Sequence, residues 1–350
     1  MMNASRKPSL IPIAAALGLG VVGRRLLRRP AADFQGKVAL ITGGSRGLGL
    51  QLARGFARVG CTVAICARDA DELNRAADDL RQGGATVLTI PCDVSNRADV
   101  TDAVQQTVQR FGRVDILVNN AGIIQAGPFG SMTIADFEEA MGIIFWGTLY
   151  ATFAVLPQMR ERGTGHIVNI TSVGGKISMP HLLPYSAAKF AATGFSEGLR
   201  AELAADGIRV TTIAPGLLRT GGQRNAQFKG HQEAEYAWFS LGDTLPFAAL
   251  DTAQAAREIV DATRRGQAER ILSLPASIAA RLAGAFPALT ADVLALVNRF
   301  VLPSGVGGSG IAAPGVKIQE REPAPLQRIV ERAEGSADTK LNQPHAHTQQ

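Results

Sequence analysis

The stretch at positions 37–49, KVALITGGSRGLG, constrains the fold of this chain more than any other. Residues 37–42 form a short apolar run rich in β-formers, and four glycines follow it at Gly43, Gly44, Gly47 and Gly49. Apolar side chains then recur at helical spacing as far as Val59, and Gly60 suits a helix C-terminus. A strand, a glycine turn and a helix in this order present backbone N–H groups and a positive dipole end to a phosphate. The sequence therefore predicts a nucleotide-binding turn at 42–49.

A second glycine pattern, GLGVVG at 18–23, fits G-x-G-x-x-G but lacks the flanks that the chemistry needs. The preceding PSLIPIAAAL contains Pro8 and Pro12, which disfavour a strand. The following RRLLRRP reaches Pro30, which ends a helix almost at once. We interpret 18–23 as part of a small-residue apolar segment.

From 37 to about 274 the chain alternates apolar runs with helical patterns. Strands are predicted at 37–42, 62–67, 86–91, 114–118, 166–171, 208–214 and 270–274. Helices are predicted at 47–59, 70–82, 97–110, 134–160, 185–205 and 252–265. Seven strands and six crossovers predict an α/β fold with a doubly wound, Rossmann-like parallel sheet over 36–274. Residues 275–302 are predicted to form a helical extension broken at Pro287, and 303–350 to be disordered.

Residues 1–30 form an appendage with an apolar stretch at 10–22. The stretch is shorter than the ~20 residues that span a bilayer. Most of its flanking charge follows it, in the run Arg24, Arg25, Arg28 and Arg29, whereas a signal peptide places charge before. Two interpretations stay open: an interfacial anchor with arginines on anionic headgroups, or an untethered tail.

The totals exclude some classes of function. Net charge is +6, but the arginine run supplies four of those charges, and only 5% of residues are aromatic. Nucleic acid is therefore not an expected partner. Three cysteines without a C-x-x-C pattern predict reduced, buried thiols in a cytoplasmic protein. The five histidines lack metal-ligand spacing, so no metal site is predicted.

Polar residues follow the predicted strands at the edge where ligands bind in such sheets. Among them, Tyr185 and Lys189 share one face of a predicted helix. A lysine ammonium near a phenol lowers its pKa from about 10, which makes tyrosine a usable general acid/base. Ser172 ends the neighbouring strand and can hydrogen-bond a carbonyl or alkoxide. The pattern favours hydride transfer, and the alternative is a surface tyrosine with a solvated lysine.

These residues together resemble the short-chain dehydrogenase/reductase family, in its single-domain branch. The motifs are TGGSRGLG, Asp93, Asn119-Asn120-Ala121-Gly122, Ser172, Tyr185-x-x-x-Lys189, and Pro215-Gly216 with Thr220. The resemblance covers about 36–274 and implies that Tyr185 is the acid/base. It also implies that Lys189 binds the nicotinamide ribose, that Ser172 positions the carbonyl, and that Asn119 helps hold the central sheet.

The resemblance implies adenine contact for Asp93 and contact of Thr220 with the nicotinamide amide or pyrophosphate. A turn-forming role for Asp93 is the alternative. The predicted cofactor-binding positions are Gly43, Ser45, Arg46, Gly47, Leu48, Gly49, Arg68, Asp93, Asn120, Tyr185, Lys189, Pro215, Gly216 and Thr220.

The identity of the cofactor is predicted from the end of the second strand. Ala67 stands where an NAD enzyme places an acidic residue on the ribose 2′-hydroxyl. Arg68 follows, and Arg46 lies in the glycine turn; two guanidiniums suit a 2′-phosphate. NADP(H) is therefore favoured over NAD(H). The alternative is that one arginine pairs with Asp69 or Asp71.

One position departs from the family pattern. The family usually carries an asparagine in the helix after strand four, where it keeps a water in place for proton relay. The aligned residue here is Ile144. Either another group or bulk water relays the proton, or turnover is slow, or the chain binds nucleotide without catalysis and acts through partners.

The segment 217–250 is expected to cover the active site and concentrates large apolar side chains: Phe228, Tyr236, Trp238, Phe239, Leu241, Leu245 and Phe247. They favour a hydrophobic carbonyl or alcohol as substrate, or they pack against 276–301. Family habit implies dimers or tetramers through 134–160 and 185–205, and the alternative is that the extensions block these contacts. The sequence thus predicts an NADP(H)-dependent oxidoreductase, with membrane contact if 1–30 is an anchor.

Overall fold

A computed structural model describes residues 30–244, 249–305, 308–319 and 341–343 of the chain. The glycine pattern at 18–23 and the apolar stretch around it lie outside the described residues. The first half of the domain alternates strands and helices as predicted, in the order β1 (Val38–Thr42), α1 (Gly47–Arg58), β2 (Thr62–Ala67), α2 (Ala70–Gln82), β3 (Val87–Pro91), α3 (Arg97–Phe111) and β4 (Ile116–Asn119).

The second half continues the pattern and adds short elements outside the central sheet. In order these are β5 (Gln125–Ala126), α4 (Ile134–Met141), α5 (Gly147–Glu161), β6 (Gly165–Ile170), α6 (Leu183–Glu202), β7 (Ile208–Ala214), β8 (Leu217–Arg219), β9 (Gln227–Gly230), α7 (Gln232–Thr244), β10 (Ala249–Asp251), α8 (Thr252–Arg264) and β11 (Glu269–Ile271). The limits of the long elements differ from the predicted ones by a few residues at their ends.

Seven parallel strands form the central sheet in the order β11-β7-β6-β4-β1-β2-β3. The predicted doubly wound α/β fold is therefore confirmed. Strand β1 pairs with β2 on one side and with β4 on the other, so the winding reverses between β1 and β4. Ligands bind at such a switch point, beyond the carboxyl ends of the strands.

Apolar side chains fill both faces of this sheet. On one face α1 packs against α8, where Phe56 and Ile259 are fully buried. On the other face Leu117 and Val155 belong to a second buried cluster. Cys61, Cys66 and Cys92 are free and buried, as predicted. Burial raises the pKa of the Cys61 thiol to about 12, which keeps the thiol protonated.

The single helix predicted at 134–160 is interrupted. Between α4 and α5, residues Gly142–Trp146 form one π-helical segment. The whole stretch Ile134–Glu161 is long and apolar enough to cross a membrane, but half of its most apolar window is buried inside the protein. It packs on the sheet through β4 and β6 and is therefore a core helix.

Beyond the sheet the chain forms two helices, α9 (Leu274–Ala285) and α10 (Pro287–Phe300), which meet at an angle of 119°. The predicted break at Pro287 is present, because proline suits the first turn of a helix and not its interior.

The prediction of disorder from 303 onward is wrong for residues 309–319. Strand β12 (Ser309–Pro314) pairs antiparallel with β9, and the short helix α11 (Gly315–Gln319) follows it. The reason is burial of apolar surface: Ile318 packs with Phe228 and Tyr236, whose side chains are fully buried. The aromatic segment thus packs against 309–319, and the expectation of packing against 276–301 is not met by these aromatic residues. Leu245 and Phe247 lie outside the described residues, as does the side chain of Leu241.

Candidate active site

Hydrogen bonds between the ends of β1 and β4 fix the crevice at the switch point. The Thr42 hydroxyl accepts the backbone N–H groups of Asn120 and Ala121, at 3.0 and 3.1 Å. The Asn120 side-chain amide donates to the carbonyl oxygens of Thr42 and Gly43, at 3.0 and 3.1 Å. Asn120, predicted to bind cofactor, therefore also positions the glycine turn.

The turn itself admits only glycine at two places. Gly47 has a φ of +54°, which L side chains rarely adopt. A Cβ on Gly49 would lie 1.9 Å from the Gly43 carbonyl oxygen. Helix α1 begins directly after the turn, and no side chain caps its N-terminus among the described residues. A glycine turn that runs into a helix without a side-chain cap fits the pyrophosphate of a dinucleotide.

The two arginines predicted to meet a 2′-phosphate have different surroundings. Arg68, at the end of β2, is exposed and makes no hydrogen bond or ion pair within the described ranges. Arg46 forms an ion pair with Glu72, a buried carboxylate that also accepts the Ser45 hydroxyl at 3.0 Å. One arginine is thus paired, as the alternative foresaw, but its partner is Glu72 and not Asp69 or Asp71. Asp69 instead caps α2 by accepting the Glu72 N–H.

Two further polar residues at this edge bond within the protein. Asp93 accepts the backbone N–H and hydroxyl of Ser95, at 2.9 and 2.7 Å, in a local turn. Asn119 donates to Asn169, which in turn donates to Ser196, so that β4, β6 and α6 are linked. The Asp93 contacts match the turn-forming alternative, and one carboxylate oxygen of Asp93 remains for a ligand.

The loop after β7 borders the crevice on the other side. The Pro215 carbonyl accepts the Val173 N–H at 2.8 Å, which ties this loop to the segment after Ser172. Gly216 lies against Ala276 and Ser273 at the start of α9. The Thr220 hydroxyl accepts the Gly222 N–H at 3.0 Å.

Ser172, Tyr185 and Lys189 come together where β6 ends and α6 begins. The Ser172 side chain accepts the Gly174 N–H at 2.9 Å and hydrogen-bonds with the Tyr185 hydroxyl. A Cβ on Gly174 would lie 3.0 Å from the Tyr185 ring, so glycine there permits the close approach. Since Tyr185 and Lys189 lie one turn apart on α6, Lys189 approaches the same ring: its ammonium is 5.7 Å from the ring centroid.

Burial dominates the electrostatics of this cluster. Burial lowers the pKa of Lys189 to about 8, while its Nζ donates to the Ile170 carbonyl at 2.7 Å. Burial also raises the pKa of Tyr185, and the hydrogen bond from Ser172 opposes that rise. The prediction of a lowered tyrosine pKa is therefore wrong for this state of the protein. The Lys189 ammonium donates its hydrogen bond to a backbone carbonyl. Desolvation of the Tyr185 phenolate therefore decides the direction of the tyrosine pKa shift.

Ile144 occupies the π-helical segment beside this cluster. Its side chain is buried, and a Cβ on Gly122 would be 4.0 Å from Ile144 Cγ1 and 3.8 Å from Lys189 Nζ. The apolar side chain of Ile144 therefore lies near Lys189, at the position where the family resemblance implies an asparagine.

A buried histidine–carboxylate contact that no sequence pattern reveals joins the loop before α6 to helix α7. His181 Nδ1 is 2.8 Å from a Glu235 carboxylate oxygen, and the Trp238 indole donates to the other oxygen at 2.6 Å. His181 has a φ of +63°, a strained conformation for a residue other than glycine. Because 54 positions separate the pair, no local spacing marks it.

His181 also borders a cavity of about 580 Å³ between the loop before α6 and helix α10. Its lining combines apolar residues, among them Phe129, Leu183 and Leu294, with the polar side chains of Asn298 and Arg299. Ser178, Pro180 and His181, which belong to the segment between Ser172 and Tyr185, line another part of the cavity.

Comparison with known proteins agrees with this geometry. Residues 37–229 match the family model of the short chain dehydrogenases. The chain is 34% identical over 295 residues to the zebrafish (Danio rerio) dehydrogenase/reductase SDR family member 7B, a match that covers 81% of this chain and 93% of the relative. The chain belongs to the short-chain dehydrogenase/reductase family.

Two other matches extend this relationship. A dehydrogenase/reductase SDR family protein 7-like from Anopheles gambiae is 43% identical over 204 residues, which is 57% of this chain but only 64% of the relative. The crystal structure of L-sorbose reductase from Gluconobacter frateurii, complexed with NADPH and L-sorbose, is similar with a TM-score of 0.62 at 28% identity. That similarity covers 68% of this chain and 95% of the reductase. The family consists of oxidoreductases that bind NAD(P).

The depressed pKa of Lys189 predicts a specific dependence of stability on pH. Below pH 8 both folded and unfolded chains carry the charge, and the folded state bears its full desolvation cost. Between pH 8 and 10.5 the unfolded chain binds more protons, so stability rises with pH. Relative to Lys189→Met, the free energy of unfolding of the natural chain should increase by about 3 kcal/mol across this window. Urea denaturation at pH 7, 8.5 and 10 measures it.

Lys176 supplies the matched control for this experiment. Its ion pairs with Glu197 and Glu269 raise the pKa of the ammonium. The stability that the Lys176 charge contributes is present below pH 10.5 and is lost only above it. The free energy of unfolding of the natural chain relative to Lys176→Met should therefore not increase between pH 8 and 10.5. A constant difference between the natural chain and Lys189→Met from pH 7 to 10 would contradict a depressed lysine pKa.

Proposed function

We propose that this protein is an NADP(H)-dependent oxidoreductase that interconverts a ketone or aldehyde and the corresponding alcohol. The observation that carries the proposal is the cluster of Ser172, Tyr185 and Lys189 at the same sheet edge as the glycine turn. The similarity to a reductase crystallised with NADPH and a sugar supports it.

The residues of the chain divide the chemistry among them. The glycine turn, Arg68 and the loop around Thr220 are placed to hold the dinucleotide, which, when bound, supplies or accepts the hydride. Ser172 holds the substrate oxygen by a hydrogen bond. In reduction, Tyr185 gives its phenolic proton to that oxygen, and in oxidation it takes the proton back. A raised pKa keeps Tyr185 protonated at neutral pH, which suits the donor role.

Lys189 acts on the phenolate that remains after proton transfer. With a pKa near 8, the lysine is still largely charged at pH 7. A cation 5.7 Å from the phenol ring stabilises the phenolate in a buried site, where electrostatic interactions are strong.

The second candidate function is a weak or silent enzyme that binds nucleotide and acts through partners. The observation that favours it is Ile144, which is buried next to the surroundings of Lys189 and has no polar group for a proton-relaying water. Turnover with a panel of hydrophobic ketones and aldehydes separates the two. If NADPH binds tightly and nothing turns over, Ile144→Asn is the variant that tests restoration.

We propose a hydrophobic substrate because of the cavity beside His181. Phe129, Leu183 and Leu294 line one part of it. The buried His181–Glu235 pair and Arg299 place a few polar groups among apolar walls, which is typical of ligand sites that orient an otherwise apolar molecule.

We also propose that the protein attaches to a membrane surface on the cytoplasmic side. Helices α9 and α10 leave an apolar face exposed, formed by Leu274, Ile278, Leu282, Phe286, Leu289, Val293, Leu296 and Phe300. Residues 274–301 contain only three charged side chains, Arg281, Asp292 and Arg299. An exposed apolar face of this size marks an interaction site. The arginine run in the N-terminal segment suits anionic headgroups at the same surface.

A dimer or tetramer through α4, α5 and α6 remains our proposal for the assembly. Phe153 on α5, Phe190 on α6 and Trp146 in the π-helical segment between α4 and α5 are exposed, and aromatic residues are enriched at protein interfaces. Light scattering of the purified chain distinguishes the assembly from a monomer.

Replacing the acid/base tests the main proposal. Tyr185→Phe should lower kcat by at least about 10²-fold, because no phenolic proton remains to transfer. NADPH affinity, measured by fluorescence titration of the chain lacking residues 1–30, should stay close to that of the natural protein. Turnover by Tyr185→Phe at the natural rate would contradict the mechanism.

Replacing Arg68 tests the choice of cofactor. Arg68→Ala should weaken NADPH by about tenfold or more and leave NADH almost unchanged, because only NADPH carries the 2′-phosphate. Arg81→Ala, which removes an exposed arginine from α2, is the control and should alter neither affinity. Equal losses for both cofactors with Arg68→Ala would remove the argument for NADP(H).

Vesicle flotation tests the membrane proposal. The natural chain should float with vesicles of phosphatidylcholine and phosphatidylglycerol. Leu289→Glu/Leu296→Glu, in a chain lacking residues 1–30, should abolish flotation by placing charge on the apolar face. Ile311→Glu changes an equally exposed apolar residue on β12 and is the control. Flotation of the double variant as strong as that of the control would exclude α9 and α10 as the contact.

A further inference from the structure

The C-terminal residues Leu341–Gln343 lie on the candidate nucleotide site. The Leu341 carbonyl accepts the Gly47 N–H at 2.9 Å. Leu341 and Gln343 are buried, although they follow the sheet far along the chain. The N–H group that Leu341 uses belongs to the turn whose bare backbone donors are expected to meet the phosphates.

Asn342 fastens this segment to the adenosine side of the crevice. Its side-chain amide donates to the carbonyl oxygens of Ser45 and Glu72, at 2.8 and 2.9 Å. Its side-chain oxygen accepts the Arg75 guanidinium at 2.9 Å. Asn342 has a φ of +53°, a left-handed conformation that asparagine tolerates better than most residues.

Gln343 fastens the segment to the opposite side. Its amide donates to the Thr220 carbonyl at 2.6 Å, and its oxygen accepts the Asn225 amide at 2.6 Å. A Cβ on Gly221 would be 3.2 Å from Gln343 Cγ, so the side chain lies directly on this loop. Three consecutive residues therefore bridge the two loops between which a dinucleotide is expected to pass.

We propose that Leu341–Gln343 is an autoinhibitory plug that NADPH must displace from the glycine turn. The inference rests on the proposed function, because it takes the turn to be the nucleotide site. The Gly47 N–H cannot serve the Leu341 carbonyl and a ligand oxygen at full strength together. The Leu341 carbonyl that meets the Gly47 N–H is a neutral acceptor, so a charged pyrophosphate oxygen competes effectively for the same donor.

The test compares full-length variants by NADPH titration. Asn342→Ala/Gln343→Ala removes the side-chain contacts without changing charge and should tighten NADPH binding by about tenfold, equivalent to ~1.4 kcal/mol. Asn74→Ala, an exposed asparagine on the same helix as Arg75, is the control and should leave the affinity unchanged. Unchanged or weaker binding by the double variant overturns the proposal; weaker binding would mean that the segment retains cofactor.

A second measurement observes the plug without cofactor. Hydrogen exchange of the peptide covering 43–49 should be faster in Asn342→Ala/Gln343→Ala than in the natural chain, because without the side-chain contacts the segment detaches and the Leu341 carbonyl leaves the Gly47 amide. Equal exchange rates contradict the contact itself.

A peptide of residues 338–346, DTKLNQPHA, extends the test in trans. Added to the full-length Asn342→Ala/Gln343→Ala variant, it should weaken NADPH binding, and the same peptide with Asn342→Ala should not. If all variants bind NADPH with one affinity, only the plug is wrong. If no variant binds NADPH or NADH, the proposed nucleotide site fails, and competition at it fails too.

Discussion

The tie between the ends of β1 and β4 is the interaction on which the rest of the site depends. One threonine hydroxyl, at Thr42, accepts two backbone N–H groups from the loop after β4, and Asn120 returns two hydrogen bonds to the loop after β1. These strands are neighbours only because the winding of the sheet reverses between them. These hydrogen bonds hold the ends of β1 and β4 together and so fix the crevice between them. This crevice sets the relative positions of the glycine turn, the uncapped start of α1 and the candidate reaction centre at β6.

Burial then sets the chemistry inside this frame. It raises the pKa of Tyr185 and lowers that of Lys189 to about 8, so the phenol stays protonated at neutral pH. The same desolvation that costs stability strengthens the attraction between a phenolate at Tyr185 and the Lys189 ammonium. Ser172 partly offsets the cost by its hydrogen bond to the phenol.

Much of this could be predicted from sequence because the signals are local. The strand, the turn and the helix at 38–58 are encoded by consecutive residues, and Tyr185 and Lys189 lie one helical turn apart. What escaped prediction depends on partners far apart in the chain. Arg46 pairs with Glu72 rather than with the aspartates named from sequence, because α2 turns the Glu72 side chain toward the glycine turn. The strand at 309–314, with the sequence SGIAAP, follows a glycine-rich stretch and carries no alternating pattern, and it forms by pairing with the edge of β9. The direction of the tyrosine pKa shift required knowledge of burial, which spacing along a helix does not give.

The small sheet of β5, β9 and β12 draws its strands from three distant parts of the chain. The central sheet has all seven strands once residue 271 has been made, whereas this smaller sheet still lacks β12 at that moment. Domains fold from the N-terminus during synthesis. The apolar surface of Phe228 and Tyr236 therefore stays uncovered until Ile318 has been made. A nascent chain halted between these positions would present a complete central sheet with an uncovered aromatic patch, the kind of surface that chaperones bind. The central sheet and the small sheet of β5, β9 and β12 are therefore completed at different stages of synthesis.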